Sequence, residues 1–225
     1  MAVGFRPILL VDLDGVVVIE VDRNDPATRE LLILHQGLAA SLAAAAQHVF
    51  IVTHRSRREA EKICQAAELE VNDSLALIGA EDLFREACTT MQIRQLARFG
   101  LRKTYALSIA QRMTGAKPDD FVILDDRQQN LDPCLKAGIG LALKAPAAVS
   151  DDGRTIATFD MRGALRSMPK WYADRGTRRQ IDIPAIARVI EPWQKSGIST
   201  AALGDHMFNR ARRLASSLRT RQRER

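Results

Sequence analysis

The run Ile8-Leu9-Leu10-Val11-Asp12-Leu13-Asp14-Gly15-Val16-Val17-Val18 constrains this chain more than any other stretch. It is apolar apart from two carboxylates, two residues apart, placed where a strand of ordinary length ends. A continuous apolar run fits a strand buried on both faces of a parallel sheet better than a half-exposed one. Residues two apart on an extended chain point the same way. Asp12 and Asp14 therefore face one site at the strand's carboxyl end, with the chain leaving the strand near Asp14. That end of an α/β sheet is where ligands bind. Two like charges this close need a cation, or a shared proton, to offset them. Asp14-Gly15 is also a common turn pair, so the acids read either as a site or as turn residues closing the strand.

The following segments repeat an alternation. Val16 to Asp25 is mixed and ends in the turn signal Asn24-Asp25-Pro26. The Ala- and Leu-rich residues 27–46 predict a helix, with Gly37 as its weak point. His48 to Val52 predicts a second buried strand, and Arg57 to Leu69 an amphipathic helix. Ser74 to Gly79 reads as a third strand and Glu81 to Arg98 as a helix. Lys103 opens a helix that runs to about Met113 and stops at Gly115. Phe121 to Leu124 and Ile139 to Leu143 are further strands, separated by a helix over 130–137. Thr155 to Phe159 predicts one more strand, 160–172 a helix, and 182–194 another helix despite Pro184. Residues 199–219 have the spacing of an amphipathic helix. Short apolar strands alternating with helices predict an α/β fold with a doubly wound parallel sheet and a helical C-terminal extension.

Four strand or helix ends carry one chemical theme. The first strand ends in Asp12 and Asp14, the second in Thr53, and the fourth in Asp125 and Asp126; the helix before that fourth strand opens at Lys103. Carboxylates gathered at one sheet edge make a hard, oxygen-rich site suited to Mg2+. A hydroxyl and an ammonium beside such an ion suit a phosphoryl group.

This ordered set resembles the haloacid dehalogenase-like (HAD) hydrolase superfamily, phosphatase-type, over about residues 7–160. The stretch from Lys103 through Gly115-Ala116-Lys117-Pro118 to Asp125-Asp126, with Asn130 and Ala137-Gly138-Ile139-Gly140 after it, is especially close to that pattern. The resemblance implies a Rossmann-like fold and a Mg2+-dependent phosphohydrolase acting through an aspartyl-phosphate. Asp12 is then the nucleophile, and Asp14 the group that protonates the leaving oxygen and later activates water. Thr53 would bind phosphoryl oxygens, and Lys103 would neutralise the phosphoryl group and Asp12. The metal set would be Asp12, Asp14 (through its backbone carbonyl), Asp125 and Asp126. Having Asp14 favours a phosphate ester over a carbon–halogen bond. His54 and Arg55 either contact substrate or form a solvated or salt-bridged pair, and Asn130 supports the metal loop. The implied division is a catalytic domain at 1–160, a helical extension packing on it at 161–198, and a basic tail, helical or disordered, at 199–225.

Spacing and charge bear on the substrate. Only 38 residues separate Asp14 from Thr53, and the span from Ala80 to Arg102 holds about one helix. Neither leaves room for a large cap domain, so the expected site is open, or closed by another subunit of a homo-oligomer. Seven arginines lie in residues 208–225 against Glu224 alone, which accounts for the whole formal net charge of +6. That tail raises an alternative: a phosphatase processing nucleic-acid ends, with the tail tracking phosphates. A non-catalytic HAD-fold binding or scaffold protein is the third reading. No apolar run approaches the ~20 residues of a membrane span. Three scattered cysteines (Cys64, Cys88 and Cys134) form no disulfide or zinc pattern, and the expected location is cytoplasmic.

Overall fold

The structure is a computed structural model that describes residues 6–21, 30–89, 100–146, 155–177 and 179–189. Its centre is a parallel sheet built around the opening apolar run. In chain order the strands are β1 (Ile8–Asp12), β2 (Val18–Val21), β3 (Glu30–Ile33), β4 (His48–Val52), β5 (Leu75–Ile78), β6 (Phe121–Asp125), β7 (Leu141–Lys144), β8 (Thr155–Thr158), β9 (Gln180–Asp182) and β10 (Ile186–Val189). The helices are α1 (Ala39–Ala45), α2 (Arg57–Ala66), α3 (Ala80–Thr89), α4 (Thr104–Thr114), α5 (Gln128–Lys136) and α6 (Met161–Ala173). The main sheet has the order β5-β4-β1-β6-β7-β9, and every pairing in it is parallel.

Alternation along each buried strand makes two cores, one on each face. Leu9 and Val11 of β1 join Val49 and Ile51 of β4 and Leu124 of β6 on one face, under α1, α2 and α6. Ile8 and Leu10 join Phe50, Val52, Phe121 and Ile123 on the other, under α3, α4 and α5. The chain runs outward from β1 through β4 to β5, then returns to place β6 on the other side of β1. That reversal opens a crevice at the carboxyl ends of β1, β4 and β6.

Two segments depart from the sequence expectation. Residues 27–46 are not one helix: β3 pairs antiparallel with β2, Gly37 turns at φ +64°, and only Ala39–Ala45 is helical. Helix-favouring Leu and Ala composition loses here to hairpin pairing beside the site. Residues 182–194 are not a helix where described. β9 adds to the main sheet beside β7, Pro184 lies in the short irregular link after it, and β10 pairs with β8. Ile181, Ile183 and Ile186 are β-branched, and they outweigh the helical reading. The expected helix 81–98 is observed as α3 up to Thr89; residues 90–98 and the basic tail 199–225 lie outside the described residues. Between Asp14 and Thr53 the described chain holds the β2–β3 hairpin and α1. Among the described residues no helix is long and apolar enough to cross a membrane.

Candidate active site

Sheet register brings the predicted residues together. Asp12 stands beside Val52, so Thr53 follows at the adjacent strand end. Val11 stands beside Leu124, so Asp125 lies next to Asp12 on the other side. Lys103, just before α4, reaches into the gap and ion-pairs with Asp12 and, at 2.7 Å, with Asp125 Oδ2. Asp12, Thr53, Lys103 and Asp125 are all buried.

After β1 the chain turns at once. The Leu13 carbonyl accepts from the amides of Val17 and Val18 at 3.0 Å each, and Gly15 adopts φ +84°. A Cβ at Gly15 would collide with the Asp126 carboxylate, so the bare backbone is what lets Asp126 approach this loop. Asp14, half-buried, is held at both oxygens. Thr53 Oγ1 donates to Oδ2 at 3.1 Å, and Arg55 Nε donates to Oδ1 at 2.7 Å. The Arg55 amide in turn donates to Thr53 Oγ1 at 3.1 Å. Arg55 thus forms a salt bridge to Asp14, a pairing that nothing in the local sequence shows because the two are 41 residues apart. Just beyond, Ser56 and Glu59 make a capping box that fixes the start of α2 and hence this loop.

Asp125 is engaged on both oxygens. Besides Lys103, it accepts from Asn130 Nδ2 at 3.0 Å on each oxygen and from the Arg127 amide at 2.8 Å. Asp126 differs: its buried Oδ1 has no hydrogen-bond partner. Burial drives the Asp12 carboxyl well above the usual carboxylate range, and Asp125 and Asp14 add to that against the pull of Lys103. Burial also raises Asp126, with Asp125 reinforcing it. For Lys103 burial opposes the charge, but Asp12 and Asp125 outweigh it and hold the ammonium form.

Asp12, Asp125 and Asp126 place one oxygen each within 4.8 Å of one another. One ammonium does not balance three carboxylates this close together. A buried Asp126 oxygen that accepts no hydrogen bond, with the Arg127 guanidinium 4.0 Å away, and an all-oxygen donor set therefore fit a divalent cation. His54, on the same strand-end loop, is mostly buried and pushed down to about 4, by burial first and then by Lys103. It is a neutral imidazole beside the site.

No protein-family model and no curated protein matches the chain. Solved structures do. A hypothetical protein from Xanthomonas campestris is 19% identical over 63% of this chain and 64% of its own, with a TM-score of 0.39. A protein described as a HAD superfamily (subfamily III A) hydrolase from Legionella pneumophila is 18% identical over 78% of this chain and 86% of its own, with a TM-score of 0.46. The 3-deoxy-D-manno-octulosonate 8-phosphate phosphatase from Moraxella catarrhalis, in complex with magnesium, phosphate and the sugar, is 15% identical over 76% of this chain and 88% of its own, with a TM-score of 0.39. What the chain is similar to, where those structures carry a functional description, is thus HAD-superfamily hydrolases, at identities below one fifth.

Proposed function

We propose that this chain is a HAD-type phosphohydrolase that removes a phosphoryl group from a phosphate ester through an aspartyl-phosphate on Asp12. The observation that carries this reading is the constellation at the β1 end: a buried Asp12 paired with Lys103, flanked by Asp125 and Asp126, with Asp14 two residues on.

Asp12, Asp125 and Asp126 would hold Mg2+, which when bound supplies charge neutralisation for the phosphoryl oxygens and the three carboxylates. The remaining chemistry belongs to the chain's own groups. A carboxylate oxygen of Asp12 forms a bond to phosphorus as the ester P–O bond breaks, and Asp14 gives its proton to the departing oxygen. Asp14 then takes a proton from water. That water oxygen bonds to phosphorus, the Asp12 O–P bond breaks, and inorganic phosphate leaves. Lys103 holds Asp12 in place and offsets charge on the phosphoryl group.

Both Asp14 oxygens are engaged by Thr53 and Arg55. An oxygen must be released before it can carry a proton to the leaving group. Release of Thr53 frees its hydroxyl, and release of Arg55 its guanidinium, for a phosphoryl oxygen.

The test is phosphate release from p-nitrophenyl phosphate with Mg2+. Asp12→Asn is expected to reduce it to background, since an amide does not attack phosphorus. Full activity in that variant sinks the mechanism.

A further inference from the structure

A groove of about 1110 Å³ runs over α1, α2 and the loop that leads from α2 into β5. Val49 and Leu75, in the first turns of β4 and β5, lie in its floor with Leu42 and Leu69. It is therefore at the amino end of the strands, away from Asp12, Thr53 and Asp125 at their carboxyl ends. The floor is buried, but the wall above it is apolar and exposed. Helix α1 has no charged residue and turns Ala39, Ala40 and Ala43 outward, and Val71 across from them is 39% exposed. A surface helix ordinarily presents charged and polar groups to water, so this face lacks a packing partner among the described residues. The rim is acidic, with Glu61, Glu68 and Glu70. Glu61 is already paired with Arg57 at 3.2 Å. Glu68 accepts from the neutral Gln36 amide at 2.8 Å, and among the described residues neither Glu68 nor Glu70 forms an ion pair.

We propose that residues 199–225 of this same chain dock along the groove as an amphipathic helix, apolar side chains on its floor and arginines against Glu68 and Glu70. Three observations carry it. The first is shape: the groove exceeds the roughly 300–1,000 Å³ of small-ligand sites, and an apolar floor with a charged rim suits a helix laid in a groove. The second is complementarity. Leu203, Met207, Leu214 and Leu218 recur at intervals of four, seven and four, which puts them on one face of a helix, with Arg210 and Arg213 beside it. Seven arginines against Glu224 alone in residues 208–225 bring the charge that the two rim carboxylates lack. The third is reach. Strand β10 pairs with β8, which leads into α6, and Arg162 of α6 donates to the carbonyls of Gln36 and Gly37 at 3.4 and 3.3 Å. Gln36 in turn holds Glu68 on the rim, so β10 lies close to the groove. From Val189, residues 190–202 extend up to about 40 Å, which leaves ample slack. Docking here blocks nothing at the β1 end, so the proposal does not depend on the phosphatase reading.

The experiment uses the full chain and no turnover. Its first arm is hydrogen exchange. Amides of residues 207–218 are expected to exchange ten-fold or more slower than in a synthetic peptide of residues 199–225, and Glu68→Lys with Glu70→Lys to remove that protection. Leu214→Asp with Leu218→Asp, which changes nothing in the described residues, is expected to speed exchange over residues 69–74 in return. A parent tail that exchanges like the peptide, free for other partners such as nucleic-acid phosphates, overturns the proposal. Protection that survives the groove substitutions, or exchange over 69–74 that is unmoved by the tail substitutions, overturns it too. The second arm identifies whose tail is seated. Cys88, which is exposed, is replaced by serine. Val71→Cys with Leu214→Cys is then expected to close a disulfide within one chain under oxidised glutathione. Val71→Cys with Arg212→Cys, on the far face of the same helix, is expected to close ten-fold less. Equal yields from the two pairs overturn the proposal, and a disulfide-linked dimer does so by showing that a second copy's tail fills the groove.

Discussion

Replacing Lys103 by methionine removes the ammonium that is buried among the site carboxylates while keeping the length of the side chain. Lys103 contacts Asp12 and Asp125 Oδ2, the latter at 2.7 Å, and its side chain is 3% exposed. Breaking a buried ion pair by deleting one partner costs about 3–5 kcal/mol, because the other charge stays behind. At about 2–4 °C per kcal/mol for a protein of this size, the metal-free variant should melt about 6–20 °C below the parent. Three dependences separate this from ordinary loss of packing. The deficit should shrink as pH falls from 7, because burial already holds Asp12 and Asp126 above the usual carboxylate range and the lost ammonium no longer opposes it; protonation then favours the folded state. It should shrink on adding Asp12→Asn, which removes one of the repelling charges. It should also shrink with Mg2+, and the gain in melting temperature should be larger in the variant than in the parent, since the variant's site is more negative. Calorimetry or urea titration reads all three. A Lys103→Met protein that melts within about 2 °C of the parent without metal would refute the electrostatic account of the site, because the cited cost would be absent.

Three further outcomes are expected. Gly15→Ala should displace Asp126 and weaken divalent-cation binding about ten-fold or more by titration calorimetry, since the new Cβ meets the Asp126 carboxylate and φ is +84°. Ser56→Ala should cost about 1 kcal/mol in urea unfolding, because it removes the hydroxyl arm of the α2 capping box and leaves only the arm from the residue-56 amide to Glu59. His54 should titrate near 4 by NMR, against an ordinary 6.5. Its neutral, buried form contributes stability that is present above pH 6.5 and lost as pH falls toward 4, because between those values only the unfolded state binds the proton.

What could be read from the sequence followed the reach of each interaction. Strand β1, its two acids, the order of β4 to β7 and the opening of α4 are local patterns of apolar runs and stops. They appear where the residues place them. The convergence of Asp12, Lys103 and Asp125 could also be expected, because in a parallel sheet strand ends gather by topology. The Arg55 salt bridge to Asp14 was open in sequence, where a solvated pair read equally well; only the register of β1 against β4 decides it. The sharing of labour between Asp125 and Asp126 was equally hidden. Asp125 is held by Lys103, Asn130 and the Arg127 amide, while an oxygen of Asp126 accepts no hydrogen bond. Residues 27–46 misled because composition is a weak prior and a hairpin partner is not visible in it. Residues 182–194 misled because the signal of β9 is three residues long and depends on β7 for its meaning.

The position of β9 has a consequence for synthesis. It is the last strand of the central sheet, and it pairs with β7, which is finished some 36 residues earlier, at Lys144. Until residue 182 has been made, the apolar Leu141, Ala142 and Leu143 present an open row of amides and carbonyls. A nascent or truncated chain ending near residue 160 would therefore hold every residue of the proposed catalytic constellation and still offer a sticky edge to other chains. Soluble expression, more than activity, is where the C-terminal strand should declare its value.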